Sequence, residues 1–209
     1  NRSVISSLIP QLIIVMPLVF GSIIALAQNM TEKSLLIAYV GSEAMAEYGL
    51  ALVIVSPIPM IMTAVMNSWV VSFYEIKSPN KARRALTSMS VKLGVIFPII
   101  VGILTLMSWF LLFFEVIPRA YWAILYDVPA LGVGALLISL NQLNYAAFMY
   151  AEKTSYQLIS TCFSAVILGT VSVLLIPVAG KFGAIIAFIS AAAGAFFYGL
   201  IFANRALND

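Results

Sequence analysis

A few polar side chains stand inside otherwise apolar stretches of this chain, and these residues have the most to contribute chemically. Glu32 and Lys33 are adjacent and opposite in charge, while Asn67, Asn141 and Asn144 carry amide groups. Asn141 and Asn144 are three residues apart, so they would share one face of a helix. Charged and amide groups inside membrane helices contact other helices or line a polar cavity. We therefore predict that these five residues face a shared substrate pathway.

Each of these residues also has a structural alternative. The alternative for Glu32 and Lys33 is a position at the membrane interface, where both side chains extend into water. The three amides would equally serve as hydrogen-bonding contacts between helices. Asp127 and Glu47 fall near the starts of apolar blocks, where a carboxylate stabilises a helix N-terminus through the helix dipole.

Two prolines mark a candidate break inside the second apolar block. The residues there read Ser56-Pro57-Ile58-Pro59. Each proline removes a backbone donor and bends or interrupts a helix. We predict a helix break at Pro57 and Pro59, which is a feature both of transporter binding sites and of ordinary membrane helices.

The residue inventory excludes several kinds of catalytic site. The 209 residues contain no histidine, and Cys162 is the single cysteine. Sites that need histidine, such as Ser-His-Asp triads and histidine–cysteine metal centres, are therefore excluded. No base and nucleophile stand together in a recognisable arrangement. We expect no enzymatic activity, no bound metal and no cofactor.

Six apolar blocks, each long enough to cross a bilayer, must position these polar residues. The chain is 63% hydrophobic and 9% charged, whereas a soluble domain has about 25% charged residues. Backbone groups in lipid must be paired within their own segment, so the blocks must be helices. We predict an all-α membrane bundle forming a single six-helix lobe over residues 1–209. Its helices should span about 4–38, 44–75, 81–115, 121–151, 155–177 and 181–204.

The basic residues fall on alternate links between the blocks, which predicts an orientation. One set of links and ends carries Arg2, Lys77, Lys81, Arg83, Arg84, Lys92, Lys153 and Arg205. The other set carries Lys33, Arg119 and Lys181. The positive-inside rule places the larger set in the cytoplasm, together with both termini. The basic turn near Asn80 would serve as this topology signal or would bind anionic lipid headgroups.

Several short motifs resemble those of a known family. The segment from Tyr39 to Tyr48, Y-V-G-S-E-A-M-A-E-Y, resembles the Y-x-x-G-x-x-x-x-G-x-Y region of oligosaccharide-lipid flippases, in the multidrug/oligosaccharidyl-lipid/polysaccharide exporter superfamily. Glu32-Lys33 stands where that family often has an Asp-Arg pair. Residues 130–154 are similar to the family's tenth helix, and Ile176-Pro177 followed by Gly180-Lys181-Phe182-Gly183-Ala184 is similar to its last interhelical link.

The resemblance covers nearly the whole chain and implies the C-terminal lobe of a two-lobe flippase. Such a protein would move a polyprenyl-pyrophosphate-linked oligosaccharide across the bacterial inner membrane by alternating access, in polysaccharide or O-antigen lipopolysaccharide biosynthesis. It would need an N-terminal six-helix lobe or a second copy, and H⁺ or Na⁺ coupling. Its partners would be this lipid-linked oligosaccharide and membrane lipids, and no nucleic acid is expected.

The chain departs from the family pattern, for example at Ala46 and at Lys33. Ala46 replaces a glycine. Lys33 replaces an arginine, and a lysine cannot bind phosphate bidentately.

Two other functions stay open. One is a multidrug cation antiporter of the same superfamily, for which acidic residues deep in the helices would be expected. The other is a membrane scaffold protein that transports nothing.

Overall fold

The computed structural model describes the backbone of residues 2–207 and the side chains of residues 15–207, and over that range it is all helical with no strand. The α-helices are α1 (Arg2–Val40), α2 (Ser42–Val55), α3 (Pro57–Tyr74), α4 (Pro79–Phe113), α5 (Ile124–Tyr150), α6 (Ser155–Ala179) and α7 (Lys181–Ala206). A short 3-10 turn, Arg119–Tyr121, precedes α5. This confirms the predicted all-α membrane bundle, and the helix limits lie within a few residues of those predicted.

Five helical segments are long and apolar enough to cross a membrane among the described residues: Ser42–Tyr74, Pro79–Phe113, Ile124–Tyr150, Ser155–Ala179 and Lys181–Ala206. The sequence predicted six. The difference is α1, which is helical over its whole predicted length. The part of α1 whose side chains are described contains Gln28, Asn29, Glu32 and Lys33. The part of α1 before residue 15 lies outside the residues whose side chains are described, and only the described residues were searched for spans.

The second apolar block is divided at Ser56. Helix α2 ends at Val55 and α3 begins at Pro57, and the Ser56 hydroxyl donates a hydrogen bond of 2.8 Å to the carbonyl of Val53. Proline has no backbone N–H, so the ladder of helical hydrogen bonds cannot continue unbroken through Pro57 and Pro59. Together the two helices still make up one of the segments long and apolar enough to cross a membrane.

Helix α5 lies at the centre of the bundle. It packs against α2, α3, α4 and α7, while α1 packs mainly on α6, and α6 mainly on α7. Its fully buried side chains include Leu131, Leu143 and Phe148. A helix surrounded by other helices must place any polar group it carries against protein rather than lipid, so α5 is the helix best placed to hold an internal polar site.

The bundle has two ends, which we name by one residue each. At the Lys181 end, the C-terminus of α1 meets the turn between α6 and α7, where Gly180 has a φ of +58°. A positive φ suits glycine and lets the chain reverse within one residue. At the Arg84 end, the Tyr150 hydroxyl at the end of α5 donates a 2.5 Å hydrogen bond to the carbonyl of Ile76.

Candidate functional site

A polar cavity of about 370 Å³ lies between α1, α5, α6 and α7. Its wall is unusually rich in amides and hydroxyls for the interior of an apolar bundle. The polar residues that line it are Ser22, Gln28, Asn29, Glu32, Asn141, Gln142, Tyr145, Gln157, Thr161 and Ser164. Polar groups in a membrane protein are costly unless they serve helix contacts or a hydrated pathway. We take this cavity as the candidate functional site.

Spacing of three or four residues along the helices explains why so many polar side chains face one cavity. On α6, Gln157, Thr161 and Ser164 recur at intervals of four and three residues, and so share a face. On α1, Gln28 and Glu32 are four residues apart and point the same way. The Gln28 amide donates a hydrogen bond of 3.3 Å to the Ser164 hydroxyl, which joins the polar faces of α1 and α6.

Glu32 is the acidic group of the cavity wall. Only 3% of the residue is exposed, and the Tyr48 hydroxyl donates a hydrogen bond of 2.5 Å to its Oε1 atom. Glu32 also lines a second cavity of about 240 Å³ between α1 and α6. The buried Ser172 hydroxyl lines that second cavity and has no hydrogen-bond partner in the described part of the chain. A carboxylate at the junction of two cavities is suited to holding a cation or a hydroxyl group.

The two predicted asparagines of α5 form a pair. The Asn144 amide donates hydrogen bonds to Asn141 Oδ1 at 3.0 Å and to the Phe196 carbonyl at 3.4 Å. Only Asn141 lines the polar cavity, while Asn144 lines a smaller one of about 90 Å³ towards α4 and the end of α7. Gly199 makes room for the pair, since a Cβ atom there would collide with both amides.

The structure does not bring all five predicted pathway residues together. Glu32 and Asn141 share the polar cavity, and Asn144 contacts Asn141. Asn67 is exposed on α3, and Lys33 is half-buried without lining any of the cavities described. The break before Pro57 and Pro59 lies between α2 and α3, neither of which lines the polar cavity.

Sequence reasoning missed most of the residues that line this cavity. Gln28, Gln157, Thr161 and Ser164 were not predicted as pathway residues, although they occupy one face of their helices. The sequence signal for these residues was their spacing of three or four positions, which places polar side chains on one face of a helix. Gln142 lies between the two predicted asparagines, and its spacing from Asn144 places the two on different faces of a helix, so the pattern that indicates Asn141 and Asn144 does not indicate Gln142.

A buried ionic cluster lies near the Lys181 end of the bundle. Lys181, at the start of α7, forms an ion pair with Glu47 of α2 and a second one of 2.8 Å with Asp127 of α5. Asp127 is fully buried, and the Lys181 and Glu47 side chains are 9% and 19% exposed. The helix-dipole interpretation of the two carboxylates is therefore incomplete, because each also binds the same ammonium group.

The ionic cluster is connected to the polar cavity through α2. Glu47 and Tyr48 are consecutive, and they contact Lys181 and Glu32 respectively. A shift of α2 would therefore act on both the cluster and the cavity wall.

No group of three or more histidine, cysteine, aspartate or glutamate side chains that could hold a metal ion occurs in the part of the chain described.

Comparisons of this chain with protein-family models, with curated proteins and with solved structures give no match. The polar cavity, the ionic cluster and the apolar helices around them are therefore the features that bear on its function.

Proposed function

We propose that this membrane protein is one lobe of an alternating-access transporter. Its substrate would be a polyprenyl-pyrophosphate-linked oligosaccharide, moved from the cytoplasmic to the outer leaflet of a bacterial inner membrane. A second lobe, supplied by an N-terminal six-helix unit or a second copy, would close the pathway. The sequence resemblance supports the substrate class, and the distribution of basic residues supports a cytoplasmic Arg84 end with both termini on that side.

The observation that carries the proposal is the polar cavity between α1, α5, α6 and α7. Sugars present many hydroxyl groups, which amide, hydroxyl and carboxylate side chains bind through paired hydrogen bonds. The side-chain amides of Gln142 and Gln157 line the cavity, and neither has a hydrogen-bond partner among the described residues. Unpartnered amides beside an open cavity are available to a polyhydroxylated ligand.

A binding measurement on the purified chain in lipid nanodiscs tests this assignment. We expect the double variant Gln142→Leu/Gln157→Leu to bind a polyprenyl-pyrophosphate-linked oligosaccharide about tenfold more weakly, because each lost hydrogen bond contributes about 0.5–1.5 kcal/mol. The matched control is Asn67→Leu, which removes an exposed amide outside the cavity. Equal affinity in the double variant and the wild-type chain would contradict the proposed site.

The position of Glu32 favours a second candidate, a cation antiporter. A buried carboxylate in the wall of a membrane cavity is a natural partner for a lipophilic cation. The same nanodiscs can be titrated with tetraphenylphosphonium. Strong binding that Glu32→Gln abolishes, without binding of the oligosaccharide lipid, would favour the antiporter. A scaffold protein would bind neither ligand.

A further inference from the structure

A run of positive charge covers the exposed face of the first part of α4. Lys81, Arg83, Arg84 and Lys92 are exposed there, and Lys77 precedes the helix. No acidic residue occurs between Glu75 and Glu115. None of the five basic side chains forms an ion pair with another described residue. The patch therefore holds a concentrated positive charge that the described part of the protein leaves unneutralised.

The opposite face of the same segment is packed against the bundle. Ala82, Leu86 and Leu93 are buried, and α4 packs mainly against α5. The basic face is thus held by a fixed helix rather than by a free loop. An open groove along this face is lined by Asn80, Arg83, Arg84, Thr87 and Ser88.

The length of α4 places this groove near the lipid headgroups. The exposed indole of Trp109 marks one membrane interface, where tryptophan is enriched. A hydrocarbon layer of about 30 Å corresponds to roughly 20 helical residues and so extends back to about Met89. Arg84 lies about 8 Å farther along the helix, within the headgroup layer. Lys92 is close enough to reach the same layer with its ammonium group.

We propose that this groove binds the phosphate of an anionic membrane lipid of the phosphatidylglycerol class. Guanidinium groups bind phosphate oxygens bidentately, and Arg83 and Arg84 supply two of them. The Thr87 hydroxyl donates to the Arg83 carbonyl at 3.0 Å, whereas the Ser88 hydroxyl makes no hydrogen bond to another described residue and can donate to the ligand. The site lies at the Arg84 end, outside the polar cavity, and is independent of the transported substrate.

The test is a titration of the purified full chain with phosphatidylglycerol, with bound lipids counted by native mass spectrometry. We expect Arg84→Gln to weaken binding about fivefold and Arg83→Gln/Arg84→Gln about 25-fold, since one basic residue near an anionic surface contributes about 1 kcal/mol. Phosphatidylcholine, which has no net charge, should not compete. Arg119→Gln is the matched control, because it removes an exposed charge at the Lys181 end.

Unchanged phosphatidylglycerol binding in the double variant would overturn the site and leave the basic residues as a topology signal alone. An equal loss in Arg119→Gln would also overturn it, because the effect would then follow net charge rather than position. The third measurement adds inorganic phosphate as a competitor of the lipid. If it displaces the lipid at equal concentration, the groove is a site for a soluble anion and the lipid assignment is wrong. The single variant Arg84→Gln keeps the test decisive if the double variant does not fold.

Discussion

Replacing Lys181 by methionine is expected to lower the free energy of unfolding by about 3–5 kcal/mol, the usual effect of removing one partner from a buried ion pair. The substitution keeps the length of the side chain but deletes the ammonium group. Asp127, which is fully buried, and Glu47 would then keep two carboxylates with no cation to bind. The helices α2, α5 and α7 would lose the charge that joins them.

Two further variants separate this effect from a general loss of charge. Lys181→Met/Asp127→Leu should recover much of the stability, because replacing a buried ion pair by apolar side chains is often neutral. Arg119→Gln breaks the exposed Arg119–Glu115 pair and should change stability by no more than about 1 kcal/mol. Unfolding in mixed detergent micelles, followed by far-ultraviolet circular dichroism, measures all three. A Lys181→Met variant as stable as Arg119→Gln would refute the buried cluster.

Replacing Gly183 by alanine is also expected to destabilise the bundle strongly. A Cβ atom at this position would lie 2.5 Å from the carbonyl carbon and oxygen of Leu175, and 2.8 Å from the amide nitrogen of Ile176. These are backbone atoms of α6, which cannot rotate away as a side chain can. Helices α6 and α7 would have to separate next to the Gly180 turn. Overpacking of this kind costs about 1–3 kcal/mol.

Gly102 provides the control for this prediction. It lies within α4, and nothing approaches within 4 Å of a Cβ atom built there. Gly102→Ala should therefore be neutral or stabilising by up to about 1 kcal/mol, from the higher helix propensity of alanine. The same unfolding experiment measures both variants. If the two substitutions had equal effects, the close approach of α6 and α7 at Gly183 would be contradicted.

The helices of this fold could be predicted from the sequence because lipid leaves few alternatives. A long apolar run must satisfy its own backbone hydrogen bonds, so apolar blocks become helices with nearly the predicted limits. Pro57 and Pro59 each remove a backbone donor, and the structure divides α2 from α3 at Ser56, directly before them.

The polar site was harder to predict, because lipid and protein interior are both apolar. A soluble helix shows which face is buried through its pattern of apolar residues, but a membrane helix surrounded by lipid shows no such contrast. Asn67 and Asn141 look alike in sequence, yet one is exposed and the other lines the cavity. Lys181 and Asp127 are far apart in sequence, and only the packing of α5 against α7 brings them together.

Cysteine accessibility tests most directly whether a polar pathway runs through this bundle. In a Cys162→Ala background, single cysteines would replace Thr161 or Ser164, which line the cavity, or Val166, which is exposed on another face of α6. A water-soluble methanethiosulfonate reagent would be added to both sides of the membrane. It reacts with thiolates, which form readily in water but not in lipid. We predict rapid labelling at positions 161 and 164 and little at 166. Labelling at 166 as fast as at 161 and 164, or labelling at none of the three while a cysteine at Ser78 reacts, would contradict the polar pathway.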